Sequence, residues 1–425
     1  MPDKYKERYL VTESIALCKH FGECGGCVHQ DLPYDEQVAR KQADLQKRFR
    51  EYWDAPIPIT PSPVIWHYRN KVDPSFALKW YEEPPPKGFE RDTVLGFKSR
   101  GKWFKPLELE ECHIAPAGMD VLLQGVREWR QACDLRACEP RRSRGYLRNL
   151  LVRDGKRSEE RMVVLLTMPG TFEYADSFVE MVNRCFTATS IYHGEFAGKA
   201  EVATADKLTL LYGRNSIQEI LRIPMSCKRI TDTSDLSDGS DIRLLSFRIS
   251  PLSFFQTNPI AAERLYGHIR AWVEQCHPAA LFDLYGGSGA IALSCADCVH
   301  EIISVENVQE ASSDGRHNAR ENGIGNVFFV TDTMRNYLRD RLEGGGFPEN
   351  SAVVVDPPRA GMHPKAIRRL IQLAPRQLLY VSCNPKRLHE ELPAFLEAYR
   401  LTSLQAVDMF PHTPHVELLA AFEHK

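Results

Sequence analysis

The stretch LLYVSCNP (378–385) is an apolar, β-prone run that ends in Cys383, followed at once by Asn384 and Pro385. Proline cannot extend a strand ladder, so the strand is expected to stop at the thiol and present it on a loop. A cysteine after an apolar run is usually a core residue, but polar neighbours and a strand-end position argue for an accessible nucleophile. VVVDPPRAG (353–361) ends another apolar run in Asp356, and its two prolines force the chain out of regular structure there. One helix and one strand separate Asp356 from Cys383, so both are expected on the same sheet edge. FDLYGGSGAI (282–291) sets Tyr285 and three glycines at a strand-to-helix turn, and Glu306 closes the next strand. The pattern is not the G-x-G-x-x-G of a dinucleotide site. It suits a nucleoside cofactor without a pyrophosphate, with Glu306 accepting hydrogen bonds from ribose hydroxyls.

A second set of residues has ligand character. CKHFGECGGC places Cys18, Cys24 and Cys27 in C-x5-C-x2-C spacing, and LEECHI adds Cys112. Four thiols can close a tetrahedral site for zinc or a 4Fe–4S cluster. His20 and His29 are expected at the surface rather than as ligands. Cys133, Cys138, Cys185, Cys227, Cys276, Cys295 and Cys298 have no ligand spacing.

The elements that must position these groups follow from periodicity. From residue 279 onward, short apolar runs alternate with helical patterns, which predicts a parallel sheet covered on both faces. Ligands in such sheets sit at the carboxyl ends of the strands. Residues 62–249 read instead as strands joined by turns, with helices near 118–133 and 173–186: an α+β domain with a mostly antiparallel sheet. The charged helix expected over 34–53 links the cysteine segment to it. The chain therefore divides into an N-terminal cysteine segment (1–61), a central α+β domain (62–249) and a C-terminal α/β domain (250–425).

SFFQTNP (253–259), DPPRAG (356–361), LLYVSCNP (378–385) and PHTPHVE (411–417), in this order and spacing, resemble the RNA uracil-5 methyltransferase family. The N-terminal cysteines extend the resemblance to most of the chain. It implies a Rossmann-like domain that binds S-adenosylmethionine, and formation of 5-methyluridine in RNA. By resemblance, Cys383 adds to carbon 6 of uracil and Glu417 removes the carbon 5 proton. Gln256, Tyr285, Glu306, Asp332 and Asp356 then contact the cofactor. The resemblance also favours a 4Fe–4S cluster on Cys18, Cys24, Cys27 and Cys112, and ribosomal over transfer RNA as substrate. Glu417 read alone is a charge before an apolar strand.

Composition sets the outer bounds. The chain has 425 residues, 43% hydrophobic and 26% charged, with a net charge of −2. A global basic excess is absent, so an RNA surface must be a local patch. HYRNK (67–71) and the arginine-rich EPRRSRGYLRN (139–149) are the candidates. No apolar run reaches the ~18 residues of a membrane span. A cytoplasmic monomer is expected. Two other classes compete: a non-catalytic RNA-binding iron–sulfur protein, and a methyltransferase for proteins or small molecules, which needs no cysteine nucleophile.

Overall fold

The computed structural model describes residues 16–139, 144–225, 230 and 241–425. The first helix among the described residues, α1 (Tyr34–Phe49), carries Asp35 and Glu36 in its first turn and Lys47 and Arg48 in its last, complementing the helix dipole. It buries Leu45 and Phe49 in the same apolar cluster as Leu392 and Phe395 near the C-terminus. Strand β1 (Ile59–Thr60) follows.

The central sheet is built from β2 (Lys71–Val72), β3 (Ser75–Leu78), β4 (Thr93–Ser99) and β5 (Lys102–Glu108), then β6 (Leu147–Asp154), β7 (Arg161–Thr167), β8 (Ser190–Glu195) and β9 (Lys207–Gly213). Helices α2 (Met119–Ala132) and α3 (Ala175–Cys185) cover it. The strand order is β5-β4-β3-β6-β7-β8-β9, with β2 also paired to β6. Among the described strands of this sheet, β7 and β8 pair in parallel, with α3 as their crossover, and the other strand pairs are antiparallel. Leu122, Val126, Phe178 and Val182 from the helices meet Leu150, Val152, Val163 and Leu165 from the sheet in one core.

Strands β10 (Ile217–Pro224) and β11 (Ile242–Ile249) form a separate antiparallel ribbon. Their Ile217, Leu221, Leu245 and Phe247 share a core with Leu265, Ile269 and Val273 of α4 (Pro259–Cys276). This ribbon thus packs on the C-terminal unit. After α4 the chain alternates: β12 (Ala280–Leu284), α5 (Ala290–Ser294), β13 (Glu301–Glu306), α6 (Gln309–Glu321), β14 (Val327–Thr331), α7 (Met334–Glu343), β15 (Ser351–Val355), α8 (Pro364–Leu373), β16 (Gln377–Ser382), α9 (Pro385–Ala398), β17 (Tyr399–Val407) and β18 (Glu417–His424).

The C-terminal sheet has the order β1-β17-β18-β16-β15-β12-β13-β14. Strands β12 to β16 are mutually parallel, and β12 and β15 are buried throughout, as expected of a sheet covered on both faces. β18 runs antiparallel to both β16 and β17. The chain leaves β12 toward β13 on one side and returns to β15 on the other, which opens a crevice at the carboxyl ends of these strands. The fold is an α/β, Rossmann-like unit joined to an α+β domain. Among the described residues, no helix is long and apolar enough to cross a membrane.

Candidate active site

The crevice is a cavity of about 680 Å3, lined by Gln256, Tyr285, Glu306, Asp332, Asp356, Cys383 and Glu417 together. These residues are dispersed in sequence, and the sheet explains their meeting. Tyr285 follows β12, Glu306 ends β13, Asp332 follows β14, Asp356 follows β15 and Cys383 follows β16. Glu417 is the first residue of β18. Because β18 runs against the parallel strands, its beginning lies at the edge where they end. Ser382 pairs with Leu418, so Cys383 and Glu417 stand one step further along the same register.

The glycine turn is tight. Tyr285 has φ +77° and Gly287 φ +54°, a region costly for a residue with a side chain. A Cβ on Gly286 would lie 1.9 Å from Ser304 Oγ. Gly287 lines the cavity itself, and its N–H donates to Glu306 Oε2 at 3.0 Å; Val308 N–H donates to Glu306 Oε1 at 2.7 Å. These bonds fix the Glu306 carboxylate at the cavity wall. Asp332 Oδ1 accepts from Thr333 N–H at 2.6 Å. Gln256 Nε2 donates to Asp356 Oδ2 at 3.3 Å.

The electrostatics favour neutral acids. Burial pushes Asp283, beneath the glycine turn, up to about 7. Burial, and then the charge of Asp283, push Asp356 up as well, against the Gln256 hydrogen bond. Burial and then Asp356 raise Glu417, against the Arg359 guanidinium. Each of these three buried carboxyl groups therefore takes its charge at a higher pH than an exposed acid. Cys383 is pushed up to about 12 by burial, then by Glu417 and Asp356, while Arg359 opposes the shift. Oε2 of Glu417 is buried without a hydrogen-bond partner.

The tRNA (Uracil-5-)-methyltransferase family model matches residues 211–424. An uncharacterized RNA methyltransferase of Clostridium tetani is 32% identical over 96% of this chain and 84% of its own length. The tRNA (uracil(54)-C(5))-methyltransferase of Pyrococcus horikoshii is 30% identical over 95% of this chain and 85% of its own. The chain belongs to the uracil-5-methyltransferase family. The solved structure of Pyrococcus abyssi tRNA (uracil-54, C5)-methyltransferase with S-adenosyl-L-homocysteine superposes with a TM-score of 0.68 at 26% identity, covering 94% of this chain and 86% of that one. The protein is accordingly an S-adenosylmethionine-dependent RNA uracil-5 methyltransferase.

In this methyltransferase the cavity also fits the cofactor on its own terms. Gly287 leaves open the wall that a side chain would fill, and Glu306 is presented by backbone donors. Sequence reasoning gave Arg359 and His415 no role and placed Arg69, within HYRNK, only in a basic patch for RNA; all three share the cavity. Arg359 and His415 lie inside quoted motifs; Arg359 Nη2 reaches His415 Nε2 at 3.2 Å, and Asn384 Nδ2 donates to the Arg359 carbonyl at 2.9 Å.

A second cavity, of about 360 Å3, is lined by Cys18, Cys24, Cys27 and Cys112, and Arg69 belongs to both cavities. Among the described residues, no group of three or more His, Cys, Asp or Glu side chains is arranged to hold a metal ion. Four thiols thus surround one space without converging on a point. Burial pushes Cys18 up to about 11 and Cys27 up to about 12, and neighbouring cysteines add to both. Among the other cysteines, none described lines this cavity, and Cys227 lies outside the described residues.

Three expectations need correction. His20 is buried rather than at the surface, and its Nε2 accepts from Glu110 N–H at 3.0 Å. Tyr68 of HYRNK is fully buried and donates its hydroxyl to Pro411 O at 3.2 Å, so it cannot stack on RNA. Arg148 of the arginine-rich segment is also buried, with Nη1 donating to Gly198 O at 2.9 Å. Arg141 and Arg142 lie outside the described residues.

Proposed function

We propose that the enzyme makes 5-methyluridine through a covalent adduct between Cys383 and carbon 6 of the target uracil. The observation that carries this reading is the register that sets Cys383 beside Glu417 at the mouth shared with the cofactor residues. Carbon 5 of uracil is a poor nucleophile. When the Cys383 thiol gives up its proton to solvent and its sulfur adds to carbon 6, the ring's electron pair shifts to carbon 5 and its neighbouring carbonyl as an enolate. S-adenosylmethionine, which Gln256, Tyr285, Glu306, Asp332 and Asp356 would hold, would supply an electrophilic methyl group to carbon 5 and leave as S-adenosylhomocysteine. Carbon 5 then carries a methyl group and a hydrogen. Glu417, as carboxylate, takes that proton; the electron pair re-forms the ring double bond, the carbon 6–sulfur bond breaks, and Cys383 leaves as thiolate. Arg359 is the cation that favours both Glu417 as carboxylate and Cys383 as thiolate. The uracil must be unstacked to reach this cavity.

Cys18, Cys24, Cys27 and Cys112 are assigned to a 4Fe–4S cluster. The support is their common cavity, together with the family resemblance of their C-x5-C-x2-C spacing. The cluster takes no part in the chemistry. Val28 and His29, directly after Cys27, donate backbone N–H bonds to His412 O at 2.8 and 3.1 Å. The cysteine segment is thereby fastened to the loop that runs into Glu417.

Ribosomal RNA is the substrate class that the N-terminal cysteine spacing supports. A second reading, transfer RNA, is favoured by the Pyrococcus relatives, which are named for tRNA uracil-54 and align over 95% of this chain. Mapping 5-methyluridine in both RNA classes from a deletion strain tests the proposal. Loss at one position, restored by the wild-type protein and not by Cys383→Ala, is the expected result. Unchanged 5-methyluridine in both classes would overturn it.

A further inference from the structure

The β4–β5 hairpin ends in SRGKWFK (99–105), which has three cations, two aromatics and no carboxylate. Gly101, at φ +70°, makes the turn, and Ser99 pairs with Lys102 beneath it. The tip stands away from the sheet, so consecutive side chains are exposed instead of alternating. Trp103 is 78% exposed and Phe104 49%. Trp80 joins them with its ring centroid 6.1 Å from that of Phe104, and Lys105 Nζ lies 5.7 Å above the Trp80 ring. A soluble protein rarely leaves a tryptophan this bare without use for it.

We propose that this hairpin tip is a stacking platform for single-stranded RNA flanking the target uridine. The proposal rests on the RNA methyltransferase reading and adds a second contact region to it. Charge selects the occupant. Glu23 pairs with Lys105 at 2.9 Å, but Arg100 and Lys102 have no ion pair among the described residues, so the tip carries uncompensated positive charge beside its rings. Protein-binding patches deplete lysine at their centre, whereas a polyanion with planar bases matches alternating cations and rings. The tip is also tied to the catalytic region. Cys24 pairs with Ser99 as an isolated bridge, and Arg100 N–H donates to Glu23 O at 2.8 Å. Lys98 of β4 lines the cysteine cavity, which shares Arg69 with the catalytic cavity. A strand of RNA leaving the active site along these groups meets the hairpin.

The test uses the full chain and two probes: a short oligouridylate for binding, and transcribed ribosomal and transfer RNA for turnover. Trp103→Ala with Phe104→Ala should weaken oligouridylate binding about tenfold or more, at roughly 1–3 kcal/mol of stacking per base. It should raise KM for the methylated RNA with kcat and S-adenosylmethionine affinity kept. Trp103→Tyr with Phe104→Tyr should restore both, because a ring is retained. Lys102→Gln should lower the salt dependence of binding by about one counterion. Unchanged oligouridylate affinity in the double alanine variant would overturn the platform while leaving the methylation reading intact. Loss of oligouridylate binding in an enzyme that methylates neither RNA would support the platform and sink the methylation reading instead. A change from dimer to monomer in sedimentation, with RNA affinity unchanged, would assign the rings to self-association and overturn the proposal.

Discussion

Cys383 gives the most direct test of the site's electrostatics, because its pocket holds it in the unreactive form. Burial, and then the charges of Glu417 and Asp356, push the thiol from 9.0 to about 12. Only the thiolate attacks an alkylating agent. At about pH 8, a thiol of 9.0 is roughly one-tenth ionised, and one near 12 is ionised to roughly one part in ten thousand. The free enzyme should therefore react with iodoacetamide at Cys383 about a hundred- to a thousandfold more slowly than an unperturbed peptide thiol. The rate should climb with pH across the whole accessible range without a plateau. Glu417→Gln and Asp356→Asn each remove a neighbouring negative charge, so each should speed alkylation. The gain should grow with pH, since both carboxyls are themselves raised and take their charge late. S-adenosylmethionine carries a positive sulfonium and S-adenosylhomocysteine does not. The two have nearly the same shape, so any steric shielding is common to both, and the cationic ligand should leave Cys383 the more reactive. The assay is timed alkylation at several pH values, read by mass spectrometry on the peptide that contains Cys383. Alkylation of the free enzyme at the rate of an unperturbed thiol, or slower alkylation in Glu417→Gln, would refute the reasoning.

Glu417→Gln should also stall the reaction after methyl transfer and accumulate a methylated protein–RNA species that survives denaturing electrophoresis; adding Cys383→Ala should abolish it, and wild-type turnover in the single variant would remove Glu417 as the base. Gly286→Ala puts a methyl group 1.9 Å from Ser304 Oγ and 3.1 Å from Asp283 Oδ2. It should cost about 1–3 kcal/mol of stability by overpacking and weaken S-adenosylmethionine binding, both read by thermal melting with and without cofactor. Unaltered melting in both conditions would contradict the tight turn. Protein purified without oxygen should be brown, and Cys112→Ala should lose most of its iron while Cys185→Ala keeps it. One zinc per chain and no iron would refute the cluster.

What the sequence determines here is local. Apolar runs of strand length between helical patterns are enough to predict β12 to β16 and their helices, because each run must bury both faces in a parallel sheet. Proline after Asp356 and Cys383 marks strand ends, and strand ends in such a sheet are where ligands bind. The reactive residue types and their shared edge were therefore legible before any coordinates. Other features depended on which distant segments meet. Glu417 reads as a plain surface charge until β18 pairs antiparallel with β16 and carries it to the carboxyl edge beside Cys383. Tyr68 and Arg148 look like RNA contacts in a basic string, yet tertiary packing buries both and turns the Tyr68 hydroxyl and the Arg148 Nη1 to carbonyls at Pro411 and Gly198. Trp103 and Phe104 look like ordinary strand residues, and only the projecting hairpin leaves them bare. Arg69 acquires its place between two cavities from neighbours contributed by loops far along the chain. Periodicity encodes which residues share a face of one element. Which face is covered, and by what, is decided by contacts between elements, and short-range pattern carries no record of those.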